Sequence, residues 1–173
     1  MALEIRTAAQ LIALDVEGHG AARRAARETE LLQCVLQAFV DRPGPVRVDA
    51  IVSAFPARAA ESLLEALAKL NEDDLVRIDA GRVNLAYPFS ASPTPCVVDL
   101  DPGRGRRYAC CAIDALGIAP MLGRRVRIRS QCHHCAEPIG LSVDPSGPRP
   151  DTEEVMVWVG KRAEDDRRAC DAL

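Results

Sequence analysis

A thiol and a carboxylate stand three residues apart in the stretch Tyr108-Ala109-Cys110-Cys111-Ala112-Ile113-Asp114. Thiolates are soft ligands that select soft metal ions. A carboxylic acid one helical turn from a sulfur shares its face and can relay a proton to whatever that sulfur binds. At a helix start, adjacent residues point about 100° apart, so Cys110 and Cys111 cannot both face one ion. Cys111 is the site residue of the two, because Asp114 follows it at i+3, and Cys110 then faces the core. A helix N-terminus is also expected to lower the Cys111 thiol pKa and favour the thiolate. The competing reading is a pair of small buried hydrophobes beside a solvated aspartate.

The second thiol cluster, Cys132-His133-His134-Cys135, begins 21 residues after Cys111. A Cys-x-x-Cys pair is half of a tetrahedral zinc site and usually needs a second pair. It can also be a redox dithiol, although this one sits in a turn between strands rather than at a strand-to-helix junction. His133 and His134 are metal ligands or polar loop residues. Cys170 lies in a charged tail, where it either folds back onto the site or stays a bystander. Cys34 lies beside a helical apolar stripe and reads as a small core residue. The candidate metal-binding sulfurs are therefore Cys111, Cys132, Cys135 and Cys170.

The elements that must position these groups follow from the apolar pattern. Hydrophobic residues make up 48% of the 173, enough for a core, but aromatics only 3%, which leaves little stacking area for nucleic-acid bases. The net charge of -3 argues against a general polyanion binder. No apolar run approaches the roughly 20 residues that span a bilayer. Glu4, Asp15 and Glu17 interrupt the N-terminal apolar positions, unlike a secretion signal. The expected compartment is the cytoplasm, where seven cysteines are thiols or metal ligands rather than disulfides.

A weak apolar pattern over 1–20, a short helix or a loose arm, precedes a helix over 21–40, whose stripe is Leu31, Leu32, Val35, Leu36, Phe39 and Val40. A short helix is expected over 48–55 and a third over 57–70, with Leu63, Leu64, Leu67 and Leu70 inward. Runs at 75–78 and 82–85 form a hairpin about Asp79-Ala80-Gly81. Three helices and a hairpin make a winged-helix-like pattern. Its third helix carries only Arg58 and Lys69 as cations against Glu61 and Glu65, so DNA is an unlikely partner.

Residues 90–95, rich in Pro, Ser and Thr, are expected to be a linker, dividing the chain into 1–89 and 90–173. The second part reads as strands over 96–100, 107–110, 126–130, 139–143 and 154–159. A short helix from Cys111 to Leu116 ends at Gly117, and a helical tail covers 164–173. In 126–130 the arginines alternate outward. The fold class is α+β, with a mainly antiparallel or mixed sheet and a few helices.

Four segments resemble the organomercurial (alkylmercury) lyase family. Tyr108-Ala109-Cys110-Cys111-Ala112-Ile113-Asp114-Ala115-Leu116 is similar to the family's Tyr-Ala-x-Cys-Ala-Leu-Asp motif. Ile118 to Arg124 is similar to the segment after it. Ser130-Gln131-Cys132 and Glu137 to Val143 resemble the next strand pair and its cysteine. The resemblance implies protonolysis of carbon–mercury bonds, giving a hydrocarbon and Hg(II), with Cys111 as the first catalytic cysteine and Asp114 as the acid. Cys132 matches a cysteine read as structural. The second catalytic cysteine of the family lies in a Cys-Cys pair; here Cys170 is nearest, one residue early, and Cys135 is an extra sulfur that can stand in for it. No organic cofactor or permanent metal is implied, though Zn(II) or Cu(I) suit the same thiols. The implied partners are an organomercurial or soft metal ion and a thiol acceptor for the product. The alternatives are a non-catalytic soft-metal carrier and a metal-responsive DNA-binding regulator.

Overall fold

The computed structural model describes residues 29–100, 105–149 and 155–157. The expected arm over 1–20, the first turns of the 21–40 helix and the tail helix over 164–173 lie outside these residues. Cys170 therefore does too.

Helix α1, Glu30–Asp41, starts where Thr29 accepts a hydrogen bond from the Leu32 amide, an N-cap that satisfies one orphan donor. Its buried face is Leu31, Leu32, Val35, Phe39 and Val40. The short strand β1, Val46–Arg47, leads into α2, Val48–Ser53, and then α3, Ala60–Glu72. Leu63, Leu67 and Leu70 of α3 are buried. Leu64, expected inward, is 49% exposed, because the i+3/i+4 stripe through Leu63 and Leu67 already fills the contact face.

Strands β2, Val76–Asp79, and β3, Arg82–Ala86, form the expected antiparallel hairpin. Ala80 and Gly81 both have positive φ, 46° and 70°, which matches the right-handed strand twist in a two-residue turn. Strand β4, Phe89–Ser90, pairs with β3 and with β6. This short strand lies where a linker was expected to begin. Two residues are too few to show a period, so only pairing reveals it.

The second half contributes β5, Val97–Asp99, β6, Arg106–Ala109, β7, Val126–Gln131, β8, Pro138–Asp144, and β9, Gly147–Pro148. All the pairings are antiparallel, in the order β1-β3-β4-β6-β5-β7-β8-β9, with β2 on β3. The outward arginines of β7 are real: Arg127 and Arg129 are exposed between buried Val126 and Ile128. Arg129 forms a two-pronged pair with Asp99 of β5 at 3.0 Å for each bond. Residues 155–157, the described part of the strand expected over 154–159, are not in a strand.

Helix α4, Ala112–Leu122, runs across β6, β7 and β8. It was expected to stop at Gly117, but it continues through Gly117 and Pro120 to a left-handed cap at Gly123. Burial of Ala115, Ile118 and Ala119 against the sheet outweighs the weak helix propensity of glycine. Pro120 is tolerated in the last turn, and Gly123, at φ 63°, supplies the conformation that ends the helix.

Arg107 ties the two halves together. Its side chain is buried, and its guanidinium donates to the carbonyls of Phe39 and Val40 at 2.6 and 2.7 Å. Those carbonyls belong to the last turn of α1, which lacks partners of its own. Phe39 also stacks on Phe89, with ring centroids 6.2 Å apart. Arg107→Met should therefore cost about 3 kcal/mol by urea unfolding, because it strands buried acceptors that a charged donor now satisfies. A change below about 0.5 kcal/mol would show that the contact is incidental.

Candidate thiol–carboxylate site

Strand β6 delivers the chain from the core to the N-terminus of α4. Ala109 and Cys110 are buried, and the Cys110 amide donates to Pro88 O at 3.0 Å. The next residue, Cys111, is the N-cap of α4 and is partly exposed. The two sulfurs thus differ in burial, Cys110 in the core and Cys111 partly exposed.

The Cys111 Sγ lies 3.1 Å from Asp114 Oδ2 and accepts a hydrogen bond from the Asp114 amide at 3.5 Å. The first contact is one in which the thiol donates to the carboxylate. Burial, and then the Asp114 charge, push the Cys111 pKa up to about 12, although the amides of Asp114 and Ile113 oppose the rise. The expected lowering is thus reversed. The helix amides do favour the thiolate, but desolvation and a carboxylate at contact distance outweigh them.

The resting group is a thiol whose proton already points at an acceptor. A pKa near 12 leaves about one part in ten thousand as thiolate at pH 8. Mass-mapped iodoacetamide labelling at pH 8 should therefore modify Cys132 before Cys111, with the Cys111 rate rising steeply toward pH 12. Labelling of Cys111 first would contradict this. Folding linkage has the same sign: the native state keeps the proton longer, so this group's contribution to stability falls as pH rises from about 9 to 12.

Beside α4 lies a cleft of about 190 Å³. Leu116, Ile128, Ile139 and Leu141 make it apolar, and Cys96, Cys132 and Met156 also line it. A larger open depression of about 450 Å³ lies along the β2–β3 hairpin and carries no thiol.

Cys96 is a site neighbour that sequence reading passed over. It is buried, its Sγ is 4.0 Å from Ser130 Oγ, and burial, with help from the Asp114 charge, raises its pKa. Its carbonyl accepts from the Ala109 amide at 2.9 Å, so it sits opposite the strand that leads to Cys111. Inward alternation with Val98 was the available signal.

Cys132 and Cys135 share a tight turn after β7. The Ala136 amide donates to Cys132 O, and the Cys132 amide to Glu137 O, both at 2.8 Å. The amides of Cys135 and His134, with the Cys135 thiol, face the Cys132 sulfur and lower its pKa. Cys135 is exposed, as are His133 and His134. Among the described residues, no three His, Cys, Asp or Glu side chains converge to hold a metal ion. Cys111, Cys132 and Cys135 therefore do not form one three-ligand centre. The structure instead presents two separate pairs, Cys111 with Asp114 and Cys132 with Cys135. On α3, Lys69 is ion-paired with Asp73, which reduces the positive charge that face offers a phosphate backbone. No described helix is long and apolar enough to cross a membrane.

Residues 89–173 match the family model described as alkylmercury lyase. The chain is 32% identical over 104 residues to the alkylmercury lyase of Staphylococcus epidermidis, covering 60% of this chain and 44% of that protein. It is 33% identical over 91 residues to the alkylmercury lyase of Bacillus cereus, covering 52% and 38%. The chain thus spans less than half the length of these curated relatives. The mercury-bound form of MerB2 shares the fold at a TM-score of 0.52 and 22% identity, over 61% of this chain and 50% of that one. Residues 89–173 thus carry the likeness to the alkylmercury lyase family, in a match to the family model and in relatives about a third identical.

Proposed function

We propose that the chain cleaves carbon–mercury bonds by protonolysis. The observation that carries this reading is the 3.1 Å contact between the Cys111 thiol and the Asp114 carboxylate. A soft organomercury cation binds the Cys111 sulfur and displaces its proton, which Asp114 is placed to accept. A second thiol then binds mercury and gives up its own proton to solvent, and Asp114 returns the first proton to carbon. The carbon–mercury bond breaks, a carbon–hydrogen bond forms, and Hg(II) stays on two sulfurs. One organomercury cation and two thiols become one hydrocarbon, one mercury dithiolate and one proton. The raised Cys111 pKa fits this cycle, because the sulfur stores the proton that the carbon later needs.

Cys170 is our assignment for the second sulfur. Cys135 is disfavoured because it is paired with Cys132 in a separate turn. The cleft beside α4 takes the organic group. Its 190 Å³ compares with an apolar cavity of about 150 Å³ known to hold benzene. Hg(II) is product here rather than cofactor, and neither Zn(II) nor Cu(I) is required. A thiol acceptor outside the chain then removes Hg(II), in keeping with a reducing cytoplasm. Residues up to 89 are read as a winged-helix-like packing unit rather than a DNA reader. The start of the family match at residue 89 supports a division near 90. Incubating the chain with phenylmercury should release benzene above the level of free thiol alone. Binding of phenylmercury with no benzene would reduce the chain to a soft-metal carrier.

A further inference from the structure

The Cys132–Cys135 turn supplies neither the capturing sulfur nor the acid of the Cys111 site, yet it is built with more order than a surface loop needs. Two backbone hydrogen bonds at 2.8 Å close it. Two amides and a thiol face one sulfur. Ala136 sits at φ 59°, a left-handed conformation that an alanine's Cβ disfavours. Such strain persists only where the surroundings enforce it, and here it turns the chain so that Cys132 and Cys135 share one side of the turn.

We propose that Cys132 and Cys135 form a second, independent metal site, a two-sulfur clamp for a soft, two-coordinate cation of the Hg(II) class. Binding exchanges two sulfur–hydrogen bonds for two sulfur–mercury bonds and releases two protons, so no oxidant or reductant enters. The ligand count selects the ion. Two sulfurs satisfy Hg(II), whereas Zn(II) wants four ligands, and among the described residues no third ligating side chain joins the pair. The clamp also has a location that suits transfer. Cys132 lines the cleft beside α4, while Cys135 is exposed. The site rests on its own geometry and does not depend on the cleavage proposed above.

The test is Hg(II) chloride titrated into the full chain in excess glutathione, read by native mass spectrometry. A single protein thiol loses mercury to glutathione, whereas a chelating pair keeps it through its high effective concentration. Cys135→Ser and Cys132→Ser should each lose one retained equivalent, with affinity falling roughly 100-fold or more. Cys111→Ser should keep that equivalent, whatever its effect on benzene release. Cys135 is exposed, so its serine variant is expected to fold. Retention of every equivalent by Cys135→Ser would overturn the proposal. So would stoichiometric retention of Zn(II) in place of Hg(II).

Discussion

Cys111→Ser should reduce benzene release from phenylmercury by at least ~1000-fold, to the rate that free thiols give. A hydroxyl is a hard, weak ligand for mercury, so the variant loses capture itself rather than a later step. The substitution is nearly isosteric at a partly exposed helix N-cap, and serine is a favoured residue there. Folding stability should therefore hold while activity collapses. This separation matters, because a core cysteine with no chemical role would show the opposite pattern. Cys110→Ser is the internal comparison. It buries a hydroxyl where a buried thiol now sits, so it should lower stability and leave turnover per folded molecule largely intact.

Asp114→Asn should produce a different failure. The variant keeps the sulfur, so one equivalent of phenylmercury still binds. It loses the group that holds the displaced proton, and hydrocarbon release should fall by about 100- to 10,000-fold. The amide also removes the negative charge that helps hold the Cys111 pKa near 12. The Cys111 thiol should become more acidic, and its labelling by iodoacetamide at pH 8 should speed up. Faster capture with slower cleavage is a signature that a purely structural aspartate would not give. Rapid cleavage by the variant would remove Asp114 from the mechanism.

The pair itself was legible in the sequence because it depends on local spacing alone: a helix start puts residues i and i+3 on one face. The same holds for α1, α3 and the β2–β3 hairpin, whose apolar periods and turn residues act over short range. What escaped depends on packing between distant segments. Helix α4 runs past Gly117 because Ile118 and Ala119 are buried against the sheet, which propensity alone does not show. Strand β4 exists only through its partners on either side. The protonation state of Cys111 was misread because the helix terminus is visible in sequence, whereas desolvation and the approach of the Asp114 oxygen are not. Cys96 was overlooked because its nearness to the site arises from strand register rather than from any spacing to Cys111.

The central claim is that the proton leaving the Cys111 sulfur, held by Asp114, is delivered to the carbon bound to mercury. A single-turnover reaction in D₂O, with one equivalent of phenylmercury and the protein exchanged beforehand, tests it most directly. The account predicts up to one monodeuterated benzene per chain, with the mercury retained as a dithiolate and the yield lost in Asp114→Asn. Phenylmercury recovered intact on the Cys111 sulfur would contradict it.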